Sequence, residues 1–203
     1  MADRVPLDFD PPARQIRALL LGVDERDLTA PTPCLGWPVA ALLDHLMGLS
    51  YAFAQGARKR GPGGPAVEPS AEHLSRHWRS RLPVLLEELA TAWRDPAAWS
   101  GTASVGGATL PATDMGIFAM TELVIHGWDL ARSTGQDFAA DPRALDVLVD
   151  FLSQGPADGT PGLFGPMRPT NSDDDPLLHA VALTGRDPAW RPPRRRAPIR
   201  RAS

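Results

Sequence analysis

Glu122 and His126 are the two residues of this chain best placed to do chemistry together. They lie four apart in Thr121-Glu122-Leu123-Val124-Ile125-His126-Gly127-Trp128-Asp129-Leu130, inside a long apolar, helix-forming run. Four residues on a helix make one turn plus about 40°, so the carboxylate and the imidazole would project from one side, one above the other. A helix uses this geometry to offer two ligands to one metal ion. On a wet face the same pair would be an ordinary ion pair. The flanks argue against that reading. Met115, Phe118 and Ala119 lie beside the pair on a helical wheel, and Ile117, Val124 and Trp128 cover the far side. A helix apolar nearly all round is a buried one, and buried charge needs a partner or a metal.

The other imidazoles are weaker candidates on their own. His45 interrupts the apolar stripe Ala41, Leu42, Leu49 and Ala52, so its ring faces inward; taken alone it reads as a satisfied core histidine. His73 and His77 also lie four apart, but they fall off the Leu74/Trp78 face along an edge shared with Ser80 and Arg81, and read as solvated. His179 is likewise not expected to hold a metal. Cys34 sits in a proline-rich loop with no basic residue near it in sequence. An activated cysteine needs an electropositive surrounding, so Cys34 reads as structural. Trp37 and Trp128 read as packing residues.

The elements that must position these groups can be taken in order. Pro11-Pro12 opens a first helix with the stripe Ile16, Leu19, Leu20 and Val23, fading between Asp24 and Leu28. The rigid loop Pro31–Pro38 feeds a second helix over Val39–Ala57. Lys59 to Ala66 reads as a flexible surface loop, after which Ser70 is expected to cap a third helix over Ala71–Trp93. Its core face would be Leu74, Trp78, Leu82, Leu85 and Leu89, and Pro83 should kink or split it. Gly106-Gly107 between two short alternating segments signals a two-residue β-hairpin. The fourth helix, Ala112–Ser133, carries Glu122 and His126 and closes at Gly135. Asp141-Pro142 starts a shorter helix to Ser153, a proline- and glycine-rich loop follows, and a last helix covers Asp175–Leu183. Four long helices on short or stiffened connections predict an all-α fold: a four-helix bundle with a short hairpin and two shorter C-terminal helices.

Composition narrows the class. The chain has 203 residues, 43% apolar, enough for one domain with a sizeable core, expected here over residues 1–190. Six arginines and no acid fall in residues 191–203, so the preceding residues carry a net charge of −9 where the whole chain carries −3. An acidic body argues against a nucleic-acid-binding surface, and the Arg/Pro-rich end reads as a disordered tail. One cysteine excludes an intramolecular disulfide, and no apolar run reaches the length of a membrane span, so a cytoplasmic setting is expected.

Pro33-Cys34-x-x-Trp37 before a helix bearing Asp44-His45-Leu46, then Glu122-x-x-x-His126-Gly127-Trp128-Asp129-Leu130-Ala131, resembles the DinB-like superfamily of metal-binding four-helix bundles. More narrowly it resembles the actinobacterial branch typified by the N-terminal domain of mycothiol-dependent maleylpyruvate isomerase. The closing Thr184-Gly185-Arg186-Asp187-Pro188-x-Trp190 is similar to the ending of a short metal-binding group in that branch. The resemblance implies a metal held by His45, Glu122 and His126. Two histidines and one carboxylate leave a coordination position open, as in catalytic zinc sites. It also implies thiol chemistry with mycothiol as cosubstrate: a metal-activated thiolate, or water, acting on a small electrophilic metabolite as an isomerase or an S-transferase. Asp129, about one turn from His126, would orient a ligand or relay a proton as a catalytic residue, or is a surface acid.

The characterised isomerase has a further C-terminal domain where this chain has only two short helices and a tail, so no substrate-binding residue carries over. Two other functions stay open: a non-catalytic metal-ion-binding protein, and a biosynthetic-pathway pocket protein with a repurposed metal site. Small molecules are the expected partners, with a homodimer left open.

Overall fold

The computed structural model describes residues 6–60, 64–65, 67–170 and 175–193. Six α-helices and one two-stranded sheet lie among the described residues. Helix α1 (Asp10–Leu21) opens on Pro11 and Pro12, whose fixed φ suits a first turn, and buries Ala13, Ile16, Leu19 and Leu20. Helix α2 (Val39–Ala57) follows Pro38 and is buried over most of its length. Then come α3 (Trp78–Arg94), the hairpin strands β1 (Thr102–Val105) and β2 (Ala108–Pro111), and the long α4 (Ala112–Thr134). Two further helices, α5 (Pro142–Ser153), as long as α1, and the shorter α6 (Pro176–Leu183), close the fold, each capped by the preceding aspartate accepting from first-turn N–H groups.

The first four helices form the bundle. α1 and α2 each pack against both α3 and α4, so α1 faces α2 across one diagonal and α3 faces α4 across the other. Leu42, Leu43 and Leu46 from α2, Leu82, Leu86 and Leu89 from α3, and Met115 and Met120 from α4 meet in the middle, each at most 1% exposed. Burying a side chain of this kind stabilises by about 1.5–3 kcal/mol, so this seam sets the register of α2 against α4. The hairpin pairs Val105 with Ala108 across Gly106 and Gly107, both at positive φ. Such a pair would be marginal alone. Here β1 lies against α2 and α4, and Val105 sits so close over Gly56 that a Cβ there would come within 2.6 Å of it.

α5 packs on α4 and α6 on α5. The glycine-rich loop between them is tied down: Gly165 N–H donates to the Thr184 carbonyl at 3.2 Å and Arg168 N–H to that of Ala182 at 3.0 Å. Beyond α6 the chain turns at Gly185, where φ is +83° and a Cβ would come within 2.6 Å of the Gly165 backbone. Only glycine tolerates both the left-handed turn and the backbone contact. This turn aims Arg186 back at α4.

The expected start of α3 and one residue of its expected core face do not hold. The helix starts at Trp78, not Ala71: Ser70 caps only a turn, its Oγ accepting from Glu72 N–H at 3.2 Å while its own N–H donates to Asp44. Between Ala71 and His77 the described side chains are exposed or half-buried, so a helix there would have no apolar face to bury. Pro83 does not split α3, and the buried stripe passes through Leu86, with Leu85 only partly covered. Most of the tail expected over residues 191–203, namely 194–203, and part of the Lys59–Ala66 loop, namely 61–63 and 66, lie outside the described residues. Among the described residues no helix is long and apolar enough to cross a membrane.

Candidate metal centre

α2 and α4 are neighbours in the bundle, and they bring His45, Glu122 and His126 together. His45 Nε2 and His126 Nε2 both lie 3.2 Å from Glu122 Oε2, and the two imidazole rings stand edge-on with centroids 4.7 Å apart. One ligand atom from each side chain falls within 4.8 Å of the others. Side-chain exposure is 24% for His45, 12% for Glu122 and 6% for His126, so the first two are the more accessible. His73 lies on the wall of the adjoining cleft and, like His77 and His179, belongs to neither group of neighbouring metal-ligand types found among the described residues.

The electrostatics follow from burial set against partners. Burial works against charge on Glu122, but hydrogen bonds from His126 and His45 outweigh it and hold the carboxyl well below the usual carboxylate range. Burial also lowers His45 below its ordinary value, against the opposing pull of Glu122. For His126 burial is overcome by Cys34, Asp129 and Glu122 around it, which raise it well above the ordinary imidazole value.

Behind His126 lies a second set of contacts. Asp129 is 0% exposed, which removes its reading as a surface acid, and its Oδ2 meets His126 Nδ1 at 2.9 Å. Arg186 Nε donates to both Asp129 carboxylate oxygens, at 2.9 and 3.0 Å, and Nη2 donates to Oδ2 at 2.9 Å. Burial pushes the Asp129 carboxyl up, and the Arg186 guanidinium more than reverses it. The same Nη2 donates to Cys34 Sγ at 2.9 Å, and that sulfur lies 3.2 Å from Asp129 Oδ2 and 3.8 Å from His126 Nδ1. Cys34 therefore has the basic neighbour that its local sequence lacks, and Cys34, His126 and Asp129 make the second group of ligand types. Trp37 closes the other flank, its ring centroid 4.9 Å from that of His45 and 5.9 Å from that of His126.

Arg186 is the site residue that sequence reasoning missed. It stands 57 positions from Asp129 and 152 from Cys34, and no local periodicity links them. The available signal was the motif Thr184-Gly185-Arg186-Asp187-Pro188, quoted above without a role for its arginine.

His45 and Glu122 face a cleft of about 1230 Å³ whose walls come from α2, the described residues between α2 and α3, α4, the hairpin, α5, the loop after it and Leu183 of α6. Residues 9–131, which run from just before α1 into the last turn of α4 and include all three converging side chains, match the family model described as the mycothiol maleylpyruvate isomerase N-terminal domain. The chain belongs to that family. It is 28% identical over 152 residues to an uncharacterized protein of Mycobacterium tuberculosis strain H37Rv, covering 75% of this chain and 78% of that protein. The same figures hold for an uncharacterized protein of strain CDC 1551 / Oshkosh. Among solved structures, the chain resembles the crystal structure of the mycothiol-dependent maleylpyruvate isomerase, with a TM-score of 0.53 and 21% identity over 72% of this chain and 67% of that one. A histidine-to-alanine mutant of that enzyme gives a TM-score of 0.53 and 22% identity over the same shares. These likenesses establish the DinB-like helical fold.

Proposed function

We propose that this chain is a metal-dependent enzyme that activates a thiol, mycothiol, for attack on an electrophilic small molecule, with His45, Glu122 and His126 as the metal ligands. The observation that carries the reading is the convergence of these three side chains, from two helices, on the wall of a cleft. Membership of a family named for a mycothiol-dependent isomerase supports the thiol.

The donor set fits a divalent ion, zinc first, because two imidazoles and one carboxylate leave a position open. The surroundings of His126 fit as well. Asp129, kept ionised by Arg186, accepts the Nδ1–H of His126, and the ring's Nε2, 3.2 Å from Glu122 Oε2, becomes a metal donor once a cation displaces the proton shared there. Two acceptors at that distance need a proton or a cation between them, and a carboxylate on the far nitrogen is the usual support of a metal-binding imidazole. Zinc held there would act as a Lewis acid that favours the thiolate form of a thiol.

The residues of the chain divide the remaining work. Glu122 and His45 face the cleft and orient whatever enters. Asp129, wholly buried behind the His126 ring, fixes the ring's tautomer and direction and is a positioning residue. The apolar walls exclude water from the reacting atoms. The sulfur forms a bond to an electrophilic carbon as the π pair of that carbon moves onto its conjugated neighbour. Proton uptake then leaves an S-conjugate, whereas expulsion of the thiolate after bond rotation leaves an isomer.

The test is turnover of mycothiol against a panel of electrophiles by wild type and Glu122→Ala. Consumption of thiol or isomerisation by the wild type, lost in the variant, is expected. No turnover by a metal-loaded wild type across the panel would overturn the enzymatic reading.

A further inference from the structure

We infer that the molecule bound beside this centre is uncharged, extended and largely hydrocarbon, and that the absent side chain at Gly48 holds its cleft open. The inference rests on the proposed function only for which end of the molecule reacts. The volume of about 1230 Å³ exceeds the roughly 300–1,000 Å³ of ordinary small-molecule sites, so there is room beside the thiol of the proposed function for a body longer than a small diacid. Phe53, Phe118, Phe151, Phe164, Leu110 and Met167 supply apolar walls. Among the described lining residues Arg60 is the only arginine or lysine, set against the carboxylates of Asp44 and Glu122. Away from the end that the proposed ion would face, a charged body would find too few fixed cations and would lose hydration without replacement. A neutral apolar body loses nothing and gains by burial.

Gly48 supplies an independent observation. It lies three residues after His45, on the same side of α2, and lines the cleft where it is open, as an exposed residue. A Cβ added there meets no atom within 4 Å, so packing against the fold does not demand glycine. Its φ is not among the positive ones, so the backbone does not demand it either. Glycine inside a helix weakens the helix relative to alanine. What its absent side chain preserves is space in the cleft one turn from a proposed ligand, which makes position 48 specificity-determining.

The experiment titrates the full chain with N-phenyl-1-naphthylamine, a neutral apolar probe that fluoresces on leaving water. Saturable binding is expected, displaced by methyl decanoate and not by maleate. Gly48→Phe and Gly48→Leu fill the cleft beside His45 and are each expected to weaken the probe on the order of tenfold or more, with unchanged circular dichroism. Displacement by maleate, wild-type affinity in both variants, or no saturable binding would each overturn the inference. The same titration on Glu122→Gln separates the two proposals: probe binding retained without metal supports the cleft by itself. Absence of metal from the wild type, with the probe still bound, would count against the proposed function alone.

Discussion

At the scale of single residues, Arg186 governs how firmly His126 is held. Its guanidinium grips Asp129 through both carboxylate oxygens, and Asp129 in turn holds His126 Nδ1. Arg186→Gln leaves a wholly buried carboxylate without its cation, and removing one partner of a buried pair costs about 3–5 kcal/mol. Urea unfolding should show a loss of that order, and competition titration should show zinc affinity lower by about 10–100-fold, the usual effect of losing support behind a ligand. Arg186→Lys should rescue only part of this, since an ammonium cannot present the fork. The pair also predicts a pH limb. The folded-state pKa of Asp129 lies below its unfolded value, so its stabilisation is fully present above the unfolded value of about 3.9 and is lost as pH falls through the folded one. Acid unfolding curves of wild type and Asp129→Asn should therefore begin to converge below about pH 4 and meet only beneath the folded-state value. The triad itself was legible because Glu122 and His126 share a helix face and His45 interrupts an apolar stripe. The grip of Arg186 on Cys34 and Asp129 was not, because it is made by a turn far along the chain and leaves no local pattern.

At the scale of elements, the turn at Gly185 carries the prediction. Alanine there must adopt a left-handed φ, at about 1–3 kcal/mol, and its Cβ would meet the Gly165 backbone at 2.6 Å. Gly185→Ala should lower the melting temperature and, by shifting Arg186, weaken metal binding too. A variant with wild-type stability and metal affinity would show that this turn does not position the arginine. The bounds of α2, the start of α4, the hairpin and α5 were readable because prolines, Gly106-Gly107 and Asp141 punctuate uninterrupted apolar patterns. The start of α3 was not. Ser70 offers a good cap signal, but the seven residues after it have almost nothing to bury, and burial rather than the cap decides whether a helix persists.

At the scale of the molecule, the core lies between all four helices of the bundle while the triad sits on two of them, at the cleft. The core leucines and methionines are complete without an ion, so chelation should leave the helical circular dichroism in place. It should lower thermal stability only by the linkage term, about 2.7 kcal/mol when free metal exceeds its dissociation constant a hundredfold. Loss of the helical signal on chelation would mean instead that the ion is part of the fold. The family match ends at residue 131, whereas Arg186 reaches the site from beyond it. The part of the chain outside the family domain thus contributes to the support of the proposed centre.

The most direct measurement is elemental analysis of the purified full-length protein beside His45→Ala, Glu122→Ala, His126→Ala and the double variant His73→Ala/His77→Ala. One zinc per chain is predicted in the wild type and in the His73/His77 variant, with the metal lost from each of the other three while their helical spectra persist. Equal metal in the wild type and in the His45, Glu122 and His126 variants, or metal lost only with His73 and His77, would contradict the assignment.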